Sequence, residues 1–131
     1  EKSQLAKILD SMGAIYNAYT DYTMTSYHIK IQKKYLSQAI IILCQMISDS
    51  LFTENDLIDE KPVVIEELRR DRDDPVSYIQ ELYYETIFNK CELGKSIGGS
   101  IKDVENLDYH KLKQFWRNNY NINASKWIIY F

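Results

Sequence analysis

The chain has 131 residues, a hydrophobic content of 45%, a charged content of 27% and a net charge of −3. That length fits one domain with a core of its own, and the composition is ordinary for a soluble globular protein. Lysines and arginines are scattered among acids, which argues against nucleic acid as a partner, and the longest apolar stretch, Ala39 to Ile47, is far short of the roughly 20 residues needed to cross a membrane.

Leu5, Ile8, Leu9 and Met12 recur at helical spacing, and Gly13 fits a helix C-terminal stop. Thr25, Tyr27, Ile29 and Ile31 then alternate with Ser26, His28 and Lys30, the period of a half-buried strand. With the Tyr- and Thr-rich stretch before it and a turn near residues 21–23, this predicts an antiparallel pair. Residues 33–52 carry the strongest helical signal. Their apolar side chains nearly surround the axis, which predicts burial against other elements. Cys44 lies in that run and is expected to be buried and reduced. Two cysteines are too few for a disulfide framework and lack metal-ligand spacing, while one Cys44–Cys91 bridge stays open.

Thr53 and Asp56 have the spacing of a capping box, with Asp in the Glu position, opening a short helical segment. Pro62 has no N–H and is comfortable only in a first helical turn, so it begins or bends the helix that carries Glu67. Asp74-Pro75 repeats the signal, with Asp as the cap and Pro at the first position. The helix from there carries Val76, Ile79, Leu82, Tyr83 and Ile87; two separate helices and one kinked rod both fit. "CELGKSIGGSI", residues 91–101, reads as a loop whose glycines supply backbone freedom. "ENLDYHKLKQFWRNNY", residues 105–120, reads as an amphipathic helix, and "SKWIIYF", residues 125–131, as a terminal strand. The start lacks both an initiator Met and the layout of a leader peptide, which suggests a piece of a longer protein. The element order predicts an α+β domain, an antiparallel hairpin packed by several helices, forming a single partial domain over residues 1–131.

The residues themselves say little about chemistry. His28 and His110 have no neighbours at ligand spacing and read as ordinary surface or half-buried residues. No serine stands in a G-x-S-x-G elbow, and "SIGGS" lacks the lysine and spacing of a phosphate loop. The tyrosines of "YNAYTDYTMTSY" suit strand packing better than base stacking, since no basic cluster surrounds them. Glu60 and Glu67 are seven apart, about 700° of helix, so the two carboxylates share a face. Acids on a helix are ordinarily solvated, as is the "RRDRDD" run that follows. Spacing alone stops at a soluble α+β domain.

Five motifs in one order go further: G-x-x-x-N-A-Y-T (Gly13 to Thr20), T-S-Y (Thr25 to Tyr27), E-K-P-V-V-I-E-E (Glu60 to Glu67), D-D-P (Asp73 to Pro75) and L-G-K-S-I-G-G (Leu93 to Gly99). Together they resemble the pitrilysin, or insulinase, family of zinc peptidases, which includes mitochondrial processing peptidase. The resemblance implies a partial pitrilysin-type domain of the LuxS and processing-peptidase kind. It implies a zinc site built from two histidines of an inverted H-x-x-E-H motif and a downstream glutamate, which falls on Glu67. Glu60 then supports the site from beside it. Asn17 and Ala18 fall on a sheet edge where a peptide substrate adds as another strand.

No H-x-x-E-H occurs in the 131 residues, so zinc is expected in the full-length protein and not in this chain alone, which is expected to be inactive by itself. "YNINAS" also lacks the proline and well-placed asparagine that the family often shows after the tyrosine. The expected partners are a peptide substrate and a second homologous domain or subunit, with no nucleic acid and no membrane. The compartment is not legible; an intracellular one, cytoplasmic or organellar, is the expectation. Three functional readings follow: a fragment of a zinc endopeptidase acting on peptides or unfolded segments, a non-catalytic structural or partner subunit of the same fold, and an unrelated helical interaction module.

Overall fold

The computed structural model describes residues 2–130. It divides into two compact units, Glu1–Leu51 with Trp116–Phe131, and Phe52–Phe115.

The first unit starts with α1 (Lys2–Ser11). Gly13 ends it in the left-handed region, at φ +64°, where an L side chain is strained. Ala14 N–H donates to Leu9 O at 3.1 Å and Gly13 N–H to Asp10 O at 2.9 Å, so the last helical carbonyls are satisfied as the chain reverses. Strands β1 (Ile15–Thr20) and β2 (Thr25–Lys30) then pair antiparallel, with Ile15 opposite Lys30 and Thr20 opposite Thr25. Tyr27 and Ile29 are half-buried while His28 and Lys30 are exposed, as the alternation predicts, but at the start of β2 the expected pattern is reversed, with Thr25 exposed and Ser26 half-buried. Every residue of β1 is exposed. A single-turn helix at Lys33–Tyr35 leads into α2 (Leu36–Ser48). The core is small: Leu9 is 2% exposed, Ala39 3% and Ile42 7%.

Two expectations for this unit need correction. The α2 helix is not buried all round; Ile41 is 56% exposed and Cys44 only half-buried. The elements that pack on α2 most are the single turns at Lys33–Tyr35 and Ile122–Ala124, too small to cover all its sides. Of the strand expected over 125–131, residues 125–130 are not a strand, and Phe131 lies outside the described residues. A strand needs a ladder, and among the described residues the one sheet contains only β1 and β2. Trp127 to Tyr130 therefore run as exposed apolar chain, with Trp127 Nε1 donating to Ile122 O at 3.4 Å.

The second unit is helical. The capping box at Thr53 forms as its spacing suggests: Asp56 N–H donates to Thr53 Oγ1 at 3.2 Å, and Thr53 N–H to Asp56 Oδ2 at 2.7 Å. It opens no short segment, however, but the whole of α3 (Glu54–Asp73). Pro62 sits inside that helix and removes one intrahelical donor without ending it. Asp74 separates α3 from α4 (Pro75–Ile87), accepting from Ser77 N–H at 2.9 Å, so the two are distinct helices. Ser100 and Asp103 form a second capping box that starts a short α5 (Ile101–Glu105), a helix the sequence pattern does not predict between the loop at 91–101 and the helix at 105–120. Helix α6 (Tyr109–Asn119) starts at Tyr109 rather than Glu105, where Asp108 accepts from Lys111 N–H at 2.9 Å.

Lys61 Nζ donates to Glu105 O at 2.8 Å, tying α3 to the end of α5. The Tyr109 ring meets Phe52 edge-on at 5.9 Å. No described residue of this unit is fully buried. Val76, Ile79, Tyr83 and Ile87 lie at 57–65% exposure along one stripe of α4. No described helix is long and apolar enough to cross a membrane. Cys44 and Cys91 are both free, so the bridge between them does not form.

Candidate functional site

Helix α3 carries the acids singled out by spacing. Glu60 and Glu67 are two turns apart on one continuous helix, so they share its face even though Pro62 intervenes. Glu60 is half-buried. The Glu67 side chain is 58% exposed, and its Oε1 lies 3.8 Å from Arg70 Nη2, an ion pair too long for a hydrogen bond. Glu66 is taken up by Arg69, one turn on. The two arginines thus draw on consecutive glutamates, and Glu67 is the more loosely held of the two.

One carboxylate is a donor that zinc accepts beside imidazole, but a zinc centre needs three or four protein ligands at about 2.0–2.3 Å. Among the described residues no group of three or more His, Cys, Asp or Glu side chains could hold a metal ion. His28, on β2, contacts the Tyr19 ring at 6.4 Å, and His110, on α6, contacts Tyr109 at 5.3 Å; both are exposed. The described residues therefore fit zinc as one contributor and do not fit it as a whole site.

Asn17 and Ala18 sit in the middle of β1, exposed. The Asn17 side chain is not idle: its Oδ1 accepts from Ala18 N–H at 2.9 Å.

The glycines of L-G-K-S-I-G-G have packing roles that spacing did not reveal. A Cβ on Gly94 would stand 2.7 Å from Phe88 C and 3.1 Å from Asn89 N, and would overlap Phe88 O, so the 3-10 turn at Glu92–Gly94 packs backbone against the end of α4. A Cβ on Gly98 would stand 2.6 Å from Leu68 Cδ2, one residue beyond Glu67. Gly99 adopts φ +72° just before the Ser100 cap. The loop thus seats against α3 at Leu68. A separate open cleft of about 360 Å³ lies between the end of α3 and α4, lined by Arg72, Tyr78, Glu81, Leu82 and Glu85. It includes neither Glu60 nor Glu67.

Residues 1–100 match the family model described as insulinase, peptidase family M16. The chain is 29% identical, over 118 residues, to a protein of Rickettsia bellii named as an uncharacterized zinc protease; the match covers 90% of this chain and 29% of that protein. It is 26% identical over 116 residues to mitochondrial cytochrome b-c1 complex subunit 1 of Bos taurus, covering 88% of this chain and 24% of the relative. A crystal structure of a protease from Helicobacter pylori superposes with a TM-score of 0.77 at 24% identity, over 88% of this chain and 28% of that one, a likeness of fold. The chain thus spans under a third of the length of these relatives. With the family model covering most of its residues and the α+β fold shared, this chain belongs to the insulinase family of peptidases, M16.

Proposed function

We propose that this chain is part of a zinc endopeptidase that hydrolyses peptides or unfolded segments, with Glu67 as a metal ligand. The observation that carries this reading is Glu67 itself. It ends the E-K-P-V-V-I-E-E motif on one uninterrupted helix, shares a face with Glu60, and has only a loose partner to give up. In the full-length protein two imidazoles of an H-x-x-E-H motif complete the set. A zinc ion held there supplies the Lewis acid that makes water a nucleophile near neutral pH. Glu67 lends a negative donor, and Glu60 adds charge beside it and orients a ligand. The exposed β1 edge at Asn17 and Ala18 receives the peptide as an added strand, whose main-chain bonds give affinity with little demand on sequence.

The experiment is Glu67→Gln in the full-length protein. Bound zinc, measured by atomic emission, and peptidase activity are both expected to fall below about a tenth, while the far-ultraviolet circular dichroism stays unchanged. Full zinc occupancy in that variant would refute the ligand assignment. A second reading, a partner subunit without catalysis, is favoured by the likeness to a subunit of the cytochrome b-c1 complex and by the openness of Glu67 to solvent. The residues that precede Glu1 in the gene separate the two. His, two residues, Glu and His support the peptidase, and other residues at the histidines support the subunit.

A further inference from the structure

The β1 edge carries a detail of its own. Asp21 N–H donates to Met24 O at 2.8 Å, so this pair closes the hairpin by hydrogen bonding. Antiparallel pairs alternate between bonded and non-bonded. In the observed register, Tyr19–Ser26, Asn17–His28 and Ile15–Lys30 are then the bonded pairs. Tyr16, Ala18 and Thr20 turn their main-chain groups to the other edge of β1. No described strand pairs with that edge, and every residue along it is exposed. The central outward donor is the Ala18 N–H, and it is already occupied by Asn17 Oδ1 at 2.9 Å.

An arriving strand must present a main-chain carbonyl to that same N–H, because ladder bonds form at alternate residues along the edge. One N–H makes one strong, well-aligned hydrogen bond. The carbonyl and the Asn17 amide oxygen therefore compete. We propose that Asn17 guards the outer edge of β1: its side-chain oxygen caps the Ala18 N–H in the free protein and is displaced by the backbone carbonyl of an extended peptide. The amide lowers the affinity of the edge for any strand, including strands of other copies, and so keeps an open edge from pairing indiscriminately. This inference rests on the reading of β1 as the peptide-binding edge. It adds a direction, since Asn17 opposes binding rather than supporting it.

The test uses full-length protein and a fluorescein-labelled, uncharged octapeptide of Ala, Thr and Val, with affinity read by anisotropy and main-chain amide exchange by nuclear magnetic resonance. Asn17→Ala is expected to speed exchange at Ala18 N–H in the free protein and to tighten peptide binding by about two- to tenfold, the range of one net hydrogen bond. Asn17→Asp offers a charged acceptor, which holds the N–H more firmly, so binding should weaken by a similar factor and Ala18 exchange should slow. If the peptide still protects the amides of Tyr16, Ala18 and Thr20 but Asn17→Ala binds equally or more weakly, the guard is overturned and the edge reading stands. If the peptide protects none of those amides in any variant, the edge reading falls and the guard falls with it.

Discussion

Gly94 and Gly98 stand four residues apart in one loop, and the structure assigns them very different tolerance of a methyl group. A Cβ on Gly94 would meet backbone, at 2.7 Å from Phe88 C and nearer still to Phe88 O. That backbone is pinned: Cys91 N–H donates to Phe88 O at 3.0 Å, and Gly94 N–H to Cys91 O at 3.1 Å. Relief to an ordinary carbon contact near 3.5 Å needs a shift of about 0.8 Å in a hydrogen-bonded turn, and overpacking of this kind costs about 2–3 kcal/mol. A Cβ on Gly98 would also be too close, at 2.6 Å, but to Leu68 Cδ2, the tip of a side chain that can rotate. An off-rotamer Leu costs about 1 kcal/mol. Urea unfolding of Gly94→Ala and Gly98→Ala should therefore show midpoints lowered in that order, at unchanged slope. Equal midpoints, or Gly98→Ala as the weaker protein, would refute the reasoning, because they would mean that the turn yields more easily than the leucine.

Four further outcomes follow from the fold. Thr53→Ala removes the acceptor for Asp56 N–H and should destabilise α3 by about 1 kcal/mol, read as a lower urea midpoint. Leu9→Ala empties the most buried site of the first unit and should cost about 2–4 kcal/mol by the same measurement, enough to threaten a core this small. Pro62→Ala restores a helical donor inside α3 and should raise the melting temperature, by up to about 3 kcal/mol of stability. The Ser77 hydroxyl first, and then the Ser77 N–H, hold the Asp74 carboxyl below the usual carboxylate range. A lowered folded value means that the linked stability is complete above the unfolded value and is lost as pH falls through the folded one. Asp74→Asn should therefore flatten the acid side of a stability-against-pH curve below about pH 4 while leaving the slope near pH 7 unchanged.

Sequence patterns revealed whatever depended on neighbouring residues. The stop at Gly13, the hairpin, the Thr53 cap and the Asp74-Pro75 break each need only a few adjacent side chains, and each stands where its motif lies. Misreadings arose where distant partners decide. "SKWIIYF" has the composition of a strand, but a ladder requires a second chain segment, and composition does not show whether one is alongside. The largely apolar α2 predicts burial on nearly all sides, which depends on what packs there. Pro62 is expected to begin or bend its helix because helical propensity penalises it; it does not begin α3, since one lost bond does not outweigh a capped 20-residue helix. The short α5 was legible in principle, since Ser100 and Asp103 repeat the spacing of Thr53 and Asp56. At the candidate site, the shared face of Glu60 and Glu67 could be computed from their spacing, and their roles came from the resemblance alone. The contact between Asn17 and its neighbour's amide depends on a side-chain rotamer, which no pattern of residue types encodes.

The stripe of Val76, Ile79, Tyr83 and Ile87 has a practical consequence. Each of the four leaves more than half of its surface in water. An apolar stripe of this kind does not stay wet at high concentration. A purified 131-residue sample should cluster as it is concentrated, disperse in mild detergent, and be drawn in cells toward chaperones that scan for such patches.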